Sequence, residues 1–209
     1  MTTILIFAAG DPVGREILDD IPAASLTIAA DGGYDIAVAL GQPVDVVIGD
    51  MDSISRELPR NVAVERHSPD KDRTDLDLAM GLAAGEDPER VIIVGGAGGR
   101  QDHELAAMML IADERWRSIE EIDWLTDRGR LHVIRGRRLI HGDIGTTVSL
   151  IAATGEVFGV TTRGLRWNLD NEDLAPGATR GVSNVMTAPV ADIKVNMGTL
   201  LFVVPSVQP

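Results

Sequence analysis

The sequence contains no cysteine among its 209 residues. That absence excludes disulfides, thiolate metal sites, iron–sulfur clusters and cysteine nucleophiles, and it is typical of a reducing compartment. Aromatic residues make up 3% of the chain, which is too few for a stacking platform along single-stranded nucleic acid. No apolar run approaches the roughly 20 residues that a membrane-spanning helix needs, and the first residues lack the basic region of a secretory signal. We therefore expect a cytoplasmic protein without a membrane segment.

Basic residues are also scarce, with 19 Lys and Arg against 32 Asp and Glu and a net charge of −13. This balance argues against nucleic-acid binding, because duplex affinity depends on neutralising phosphates with Lys and Arg. The charge is uneven: residues 1–126 carry 10 basic and 25 acidic side chains, and residues 127–209 carry 9 and 7. The hydrophobic pattern changes at the same place. We therefore predict two domains, residues 1–126 and 127–209, with the boundary in the segment 126–130.

Short apolar runs that end in turn residues alternate with helical patterns in the first part. Buried parallel strands have this appearance because helices cover both faces of their sheet. The strand candidates are Ile4–Ala9, Leu26–Ala30, Val44–Ile48 and Val91–Val94, and the helix candidates are Asp75–Ala84 and Asp102–Glu114. The pattern predicts an α/β domain with an open, mostly parallel sheet and helices on both faces.

The second part contains short strand candidates separated by glycine-containing turns, with no helical pattern among them. Several of the candidates alternate between apolar and polar residues with a period of two. They are Leu131–Ile134, Leu139–His141, Thr146–Ala152, Val157–Thr161, Ile193–Val195 and Leu200–Val204. This pattern predicts a small all-β sandwich.

Acidic and glycine residues follow the predicted strands of the first part, where open α/β sheets bind their ligands. The segments 31–33 (DGG), 49–53 (GDMDS) and 95–103 (GGAGGRQDH) each follow a predicted strand, and the segment 69–75 (PDKDRTD) lies between the last two. Each segment alone is explained by turn and capping preferences. Together, Asp50, Asp52, Asp72 and Asp75 would repel one another without a counter-ion, and carboxylate oxygens are what Mg²⁺ prefers. We therefore predict a magnesium site.

The glycine-rich segment before Asp102 forms a strand–loop–helix junction, where free backbone N–H groups favour a phosphate. Arg100 adds a bidentate phosphate donor, and Lys71 adds a compact positive charge. The sequence has no Walker A loop, no dinucleotide fingerprint, no paired zinc histidines and no nucleophile elbow. The pattern predicts a polyphosphate that Mg²⁺ bridges to the carboxylates.

These segments, in this order, resemble the thiamine pyrophosphokinase family over residues 4–204. The resemblance continues through 164–169 (GLRWNL) and 181–184 (GVSN). It implies transfer of a pyrophosphoryl group from ATP to the hydroxyl of thiamine, with release of AMP. It also implies an α/β domain followed by a β-sandwich, and a homodimer that binds thiamine between subunits.

The resemblance also implies roles for individual residues. Those implied to bind Mg²⁺ are Asp50, Asp52 and Asp75. Those implied to lie around ATP and the reacting centre are Asp31, Gly32, Gly33, Lys71, Asp72, Thr74, Gly99, Arg100 and Asp102. Those implied to lie near thiamine are Trp167, Ser183 and Asn184. Either Asp72 or Asp102 is expected to accept the hydroxyl proton, and the sequence does not choose between them.

Two positions depart from the family pattern, Ala107 where asparagine is usual and Ala152 where proline is common. Two other functions are left open, and the missing amide at Ala107 suggests the second of them. One is a metal-dependent phosphohydrolase, which also uses clustered aspartates. The other is a thiamine- or nucleotide-binding protein that has lost catalysis.

Overall fold

The structure, a computed structural model, describes residues 1–206 and divides the chain into two compact units. The first unit contains Met1–Ala107 and Ser118–Arg128. The second contains Met108–Arg117 and the chain from Gly129 onward. The short segment Met108–Arg117 thus belongs to the second unit, although it precedes the predicted boundary. The domain limits at residues 126 and 127 stay a prediction.

The first unit is built on six parallel strands in the order β6-β5-β1-β2-β3-β4. The strands are β1 (Thr3–Ala8), β2 (Leu26–Ala30), β3 (Val46–Gly49), β4 (Ala63–Arg66), β5 (Arg90–Gly95) and β6 (Glu121–Thr126). The helices are α1 (Gly33–Leu40), α2 (Asp75–Gly85) and α3 (Gln101–Ile111), whose residues from Met108 onward belong to the second unit, and a 3-10 helix covers Arg15–Asp20. The predicted α/β fold with a parallel sheet is confirmed.

Strand β1 lies inside this sheet, paired with β2 on one side and β5 on the other. All six of its residues are buried, which explains the apolar run that follows Thr3. Helix α1 approaches this strand closely at Gly33, where an added Cβ would lie 2.0 Å from the carbonyl oxygen of Phe7. Glycine at this position therefore lets the helix begin directly over the sheet, immediately after Asp31.

The second unit is antiparallel, and its strands form the orders β12-β9-β14-β7 and β11-β10-β13-β8. The strands are β7 (Gly129–Ile134), β8 (Arg137–His141), β9 (Thr147–Ala152), β10 (Val157–Arg163), β11 (Glu172–Leu174), β12 (Asn184–Val185), β13 (Val190–Lys194) and β14 (Leu200–Pro205).

Both groups of strands contribute to one hydrophobic cluster, as a sandwich requires. Leu150 and Phe202 enter the cluster from the first group, and Val160 and Ile193 enter from the second. Strand β9 alternates between buried and half-buried residues along its length. The predicted β-sandwich is confirmed.

The segment Met108–Arg117 contains a 3-10 helix, Glu114–Trp116, just after α3 ends at Ile111. The guanidinium of Arg135 holds this segment by donating hydrogen bonds to the carbonyl oxygens of Ile111, Asp113 and Trp116 at 2.9–3.3 Å. Within residues 1–206, no helix is long and apolar enough to cross a membrane.

Candidate active site

A cavity of about 280 Å³ lies at the carboxyl ends of β1 and β2 in the first unit. Its lining includes Ala8 and Asp31 from these strand ends, Lys71 and Asp75 from the segment that leads into α2, and His103 from α3. Loops at the carboxyl ends of parallel strands meet at one sheet edge. The sequence segments that were predicted to carry the chemistry therefore lie around one space.

Three carboxylates come together beside this cavity. Asp31, Asp50 and Asp52 each offer an oxygen, and these oxygens all lie within 4.8 Å of one another. Asp31 is 7% exposed, and its buried Oδ1 has no hydrogen-bond partner. Three negative charges at this spacing need a counter-ion, and hard carboxylate oxygens suit Mg²⁺. The donor set and the unpartnered Asp31 oxygen therefore fit a divalent cation.

The backbone at this cluster adopts left-handed conformations at two residues that are not glycine, Asp31 with φ 46° and Met51 with φ 72°. Such conformations cost of order 1–3 kcal/mol each and concentrate at functional sites. At Met51 the turn allows the backbone N–H of Asp52 to donate to Oδ1 of Asp50 at 3.2 Å. The same hydrogen bond lowers the pKa of Asp50.

Lys71 connects Asp75 to the cluster. Its Nζ lies 3.4 Å from Oδ2 of Asp50 and 3.2 Å from Oδ1 of Asp75. Burial raises the pKa of Asp75, although its ion pair with Lys71 acts in the opposite direction. The pKa of Lys71 is raised despite its burial, because both carboxylates stabilise the ammonium. The Lys71 ammonium thus bridges the carboxylates of Asp50 and Asp75.

The start of helix α2 fixes the position of Asp75. Thr74 caps the helix, because its side chain accepts a hydrogen bond from the backbone N–H of Asp77 at 3.2 Å. On the facing strand, Gly49 has φ 145°, and a Cβ there would lie 2.8 Å from Oδ1 of Asp75. Glycine at the end of β3 therefore gives the Asp75 carboxylate room beside the cluster.

The glycine-rich loop lies between β5 and α3. Its glycines adopt positive φ values, which favour glycine over other residues: Gly95 (81°), Gly96 (78°), Gly98 (84°) and Gly99 (66°). Oε2 of Glu104 accepts a hydrogen bond from the N–H of Gly98 at 3.1 Å and another from Arg128 at 3.0 Å. The side chain of Glu104 therefore holds the loop against the start of α3.

Arg100 and Asp102 pair with each other, at 2.5 Å between Nη2 and Oδ2, and both side chains are largely exposed. The Arg100 guanidinium lowers the pKa of Asp102 to about 2. Across residues 1–206, neither these two residues nor the exposed Asp72 line the cavity. By contrast Ala107, where the family pattern has asparagine, lines it and is buried.

The residues expected near thiamine lie in the second unit. Trp167 and Asn184 line a cavity of about 490 Å³ there, and Trp167 is 55% exposed. Asn184 is buried and bonded to Trp167: its Oδ1 accepts from the N–H at 3.1 Å, and its Nδ2 donates to the carbonyl oxygen at 2.8 Å. Asn184 therefore positions the Trp167 backbone. Ser183 adopts φ 60°, and its N–H donates to Oγ of Ser149 at 3.2 Å.

Four residues lie at the carboxylate cluster or line a cavity, although the sequence did not predict this for them. Asp31 was expected near ATP but shares the carboxylate cluster, and its place at a strand end was the available signal. His103 follows the glycine loop and lines the first cavity. Arg166 and Arg180 line the second cavity, although 14 positions separate them in the sequence.

Two family models match the chain. One, described as "Thiamin pyrophosphokinase, catalytic domain", matches residues 19–120. The other, described as "Thiamin pyrophosphokinase, vitamin B1 binding domain", matches residues 132–200. Together they cover most of the sequence in the order in which the two units occur.

Curated relatives and solved structures agree with these matches. Thiamine pyrophosphokinase 1 of Oryza sativa subsp. japonica is 30% identical over 160 residues, which are 68% of this chain and 59% of that protein. Thiamine pyrophosphokinase of Bacillus subtilis (strain 168) is 27% identical over 195 residues, which are 88% of this chain and 89% of that protein. The chain thus spans less than two thirds of the rice protein and most of the bacterial one.

The crystal structure of the Bacillus subtilis thiamine pyrophosphokinase matches with a TM-score of 0.84 at 23% identity, over 99% of this chain and 100% of that chain. Thiamin pyrophosphokinase from Candida albicans matches with a TM-score of 0.77 at 11% identity, over 98% of this chain and 88% of that chain. At these identities the structures support the fold, and the sequence matches support the family. The chain therefore belongs to the thiamine pyrophosphokinase family.

Proposed function

We propose that the protein transfers a pyrophosphoryl group from ATP to the hydroxyl group of thiamine, giving thiamine diphosphate and AMP. The carboxylate cluster beside the cavity of the first unit is the observation that carries this proposal. Three aspartate oxygens within 4.8 Å of one another suit a metal-bound polyphosphate, and the chain matches both family domains.

In this proposal Asp50, Asp52 and Asp75 bind Mg²⁺. We add Asp31 to these ligands, because its carboxylate oxygen lies within 4.8 Å of oxygens of Asp50 and Asp52. When bound, the ion neutralises charge on the phosphate oxygens of ATP. Phosphoryl-type transfer depends mainly on positioning and on charge stabilisation. Lys71, on the cavity wall, supplies a positive charge at the cluster, and Arg100 supplies a guanidinium near the glycine loop.

The glycine loop orients ATP in this proposal through backbone N–H groups at the start of α3, where the helix dipole favours an anion. Asp31, Gly32 and Gly33 lie at the start of α1, and Thr74 and Gly99 complete the ATP-binding set. Asp72 and Asp102 stay the two candidates for the general base. The ion pair with Arg100 lowers the pKa of Asp102 to about 2, so Asp102 accepts a proton poorly while that pair persists.

For thiamine, we propose a site that includes Trp167 and Ser183, with Asn184 holding the Trp167 backbone. The half-exposed ring of Trp167 offers an apolar stacking surface, and Val182, which precedes Ser183 in the sequence, is 45% exposed. We also propose that the protein is a homodimer, as the family resemblance implies, and that it is cytoplasmic. Sedimentation of the protein as a monomer at working concentrations would contradict the homodimer.

Product analysis tests the reaction. With ATP, Mg²⁺ and thiamine together, we expect AMP and thiamine diphosphate in equal amounts, and little AMP when thiamine is omitted. Release of inorganic phosphate without thiamine would indicate a phosphohydrolase instead. Binding of thiamine and ATP without AMP release would indicate a protein that has lost catalysis.

The carboxylate assignment is tested by Asp50→Asn, which keeps the shape of the side chain and removes its charge. We expect the rate of AMP release to fall about 100-fold or more, as when a main electrostatic group of an active site is lost. Asp19→Asn, at an exposed aspartate in the 3-10 helix Arg15–Asp20, is the matched control and is expected to keep the wild-type rate. Turnover by Asp50→Asn at the wild-type rate would show that the assignment is wrong.

A further inference from the structure

Two carboxylates lie against the glycine-rich loop of the first unit. The Glu104 carboxylate accepts a hydrogen bond from the N–H of Gly98 at 3.1 Å. The Asp11 carboxylate lies over the same residue, because a Cβ added at Gly98 would overlap it. The backbone N–H of Asp11 also donates to the carbonyl oxygen of Ala97 at 2.7 Å. The loop after β1 and the glycine-rich loop are therefore in direct contact.

These carboxylates are unfavourable neighbours for a loop that binds phosphate. ATP remains negatively charged when it carries one Mg²⁺, and the proposed reaction places its phosphates at the backbone N–H groups of this loop. Like charges repel, and the repulsion is stronger near a protein surface than in bulk water because the effective dielectric constant is lower. Asp11 and Glu104 would therefore weaken the binding of ATP unless a positive charge lies beside them.

Arg128 supplies that positive charge. Its Nη1 lies 3.0 Å from Oε2 of Glu104 and its Nη2 lies 3.4 Å from Oδ2 of Asp11, so one guanidinium bridges both carboxylates. A guanidinium suits this geometry because its donors form a rigid fork. The backbone N–H of Arg128 donates to Oγ1 of Thr126 at 3.1 Å, in the turn that follows β6. The end of β6 therefore positions the charge beside the glycine-rich loop.

We propose that Arg128 is a positioning residue of the ATP site, which neutralises Asp11 and Glu104 and holds Glu104 on the N–H of Gly98. The inference rests on the proposed function, because that function places the ATP phosphates at this loop. Across residues 1–206, Arg128 is not among the residues that line the cavity of the first unit, so it acts through the loop. In this role it contributes to binding of ATP in the ground state and in the transition state alike.

Calorimetry with ATP and Mg²⁺ tests this role without requiring turnover. We expect Arg128→Gln to bind ATP about tenfold more weakly than the wild type, because two carboxylates near the phosphates lose their counter-charge. The KM for ATP should rise by a similar factor, whereas kcat should stay within about twofold of the wild-type value. Arg128→Lys keeps the charge and loses the fork, so its affinity for ATP should lie between those of the other two proteins.

A second substitution separates neutralisation of charge from a purely structural effect. Asp11→Asn removes one carboxylate and keeps the backbone N–H that contacts Ala97. The double variant Arg128→Gln with Asp11→Asn should therefore bind ATP about threefold more tightly than Arg128→Gln alone. A structural defect at the loop would persist in the double variant. Arg137→Gln, which breaks an ion pair with Asp192 in the second unit, is the matched control and should bind ATP as the wild type does.

Wild-type affinity for ATP in Arg128→Gln, or no recovery of affinity in the double variant, would overturn the proposal. Circular dichroism checks that each variant is folded, and Arg128→Lys takes the place of Arg128→Gln in the comparison if the latter is unfolded. AMP release by the wild type is measured separately. A wild-type protein that binds ATP but releases no AMP with thiamine would contradict the proposed reaction and leave the binding test intact, so the two failures are distinguishable.

Discussion

At the scale of single residues, Lys71 explains how the carboxylates can lie so close together. Its ammonium is within 3.4 Å of Asp50 and 3.2 Å of Asp75, and its side chain is only 16% exposed. A positive charge at this position lowers the repulsion among the aspartates. It also repels a second cation at the same cluster, so Lys71 competes with a metal until a polyphosphate provides negative charge.

Replacing Lys71 should therefore strengthen binding of a bare metal ion. We expect Lys71→Met to bind Mn²⁺ without nucleotide about tenfold more tightly than the wild type, because removal of a neighbouring charge increases the attraction. Electron paramagnetic resonance of free Mn²⁺ measures this affinity independently of catalysis. Arg60→Met, at an exposed arginine, is the control for loss of charge. Weaker Mn²⁺ binding by Lys71→Met would show that Lys71 does not compete with a metal ion for the carboxylates.

The ionisation of the Asp102 carboxyl group depends on its partner Arg100, which gives a prediction for its titration. Its pKa is lowered to about 2 by the hydrogen bond and charge of Arg100. A lowered pKa contributes stability above the ordinary value near 3.8, and this contribution is lost as the pH falls through the folded value of about 2. Carboxyl-detected NMR should show Asp102 titrating near 2 in the wild type and nearer 3.8 in Arg100→Gln. Identical titration in both proteins would show that the pair does not persist in solution.

At the scale of elements, the junction between β5 and α3 depends on one acidic side chain. Glu104, in the first turn of α3, accepts hydrogen bonds from the N–H of Gly98 and from Arg128. Arg128 also lies 3.4 Å from Asp11, in the loop after β1. A run of glycines has high conformational entropy, so these contacts order a loop that would otherwise be mobile.

Removing this carboxylate should loosen the loop without unfolding the unit. In Glu104→Ala we expect the amide hydrogen of Gly98 to exchange about tenfold faster, because a charge-assisted hydrogen bond is lost. Hydrogen-exchange NMR measures this rate for each amide. Glu86→Ala, at an exposed glutamate just after α2, should leave the exchange of Gly98 unchanged. Unchanged exchange in Glu104→Ala would contradict this role.

The turn that carries Trp167 depends in the same way on Asn184. Because the buried amide satisfies the backbone N–H and carbonyl oxygen of Trp167, Asn184→Ala should lower the free energy of unfolding by about 1–3 kcal/mol. Asn184→Asp keeps the acceptor and loses the donor to the carbonyl oxygen, so it should also destabilise the protein. Urea unfolding measures both changes. A free energy of unfolding equal to that of the wild type would show that the amide does not hold the turn.

For the molecule as a whole, the sequence predicts most of the buried strands of the first unit but misses β6, whose four central residues are buried. Strands β1, β2 and β5 were predicted because parallel strands that are buried on both faces become apolar runs. Strand β4 was not predicted, because all four of its residues are exposed and no hydrophobic pattern marks them. Helix α1 was not predicted either, since its first residue belongs to a glycine pair that is typical of a turn.

The candidate site was predictable to a similar extent. Asp50 and Asp52 follow a strand, so their place at the sheet edge could be expected from the sequence. The close approach of Asp31 to these two residues depends on the parallel pairing of β2 with β3, which no local pattern reveals. The second cavity was less predictable, because Arg166 and Arg180 meet only through the fold of the sandwich.

In the proposed reaction, carboxylates from separate loops meet around one divalent cation that binds the phosphates of ATP. Crystals grown with Mn²⁺ and a non-hydrolysable ATP analogue test it most directly, because manganese is located by its anomalous scattering. We predict an anomalous peak in contact with Asp50 and Asp52 and with phosphate oxygens. A bound nucleotide with no peak at these aspartates, or with the metal held elsewhere, would show that these carboxylates do not hold the metal.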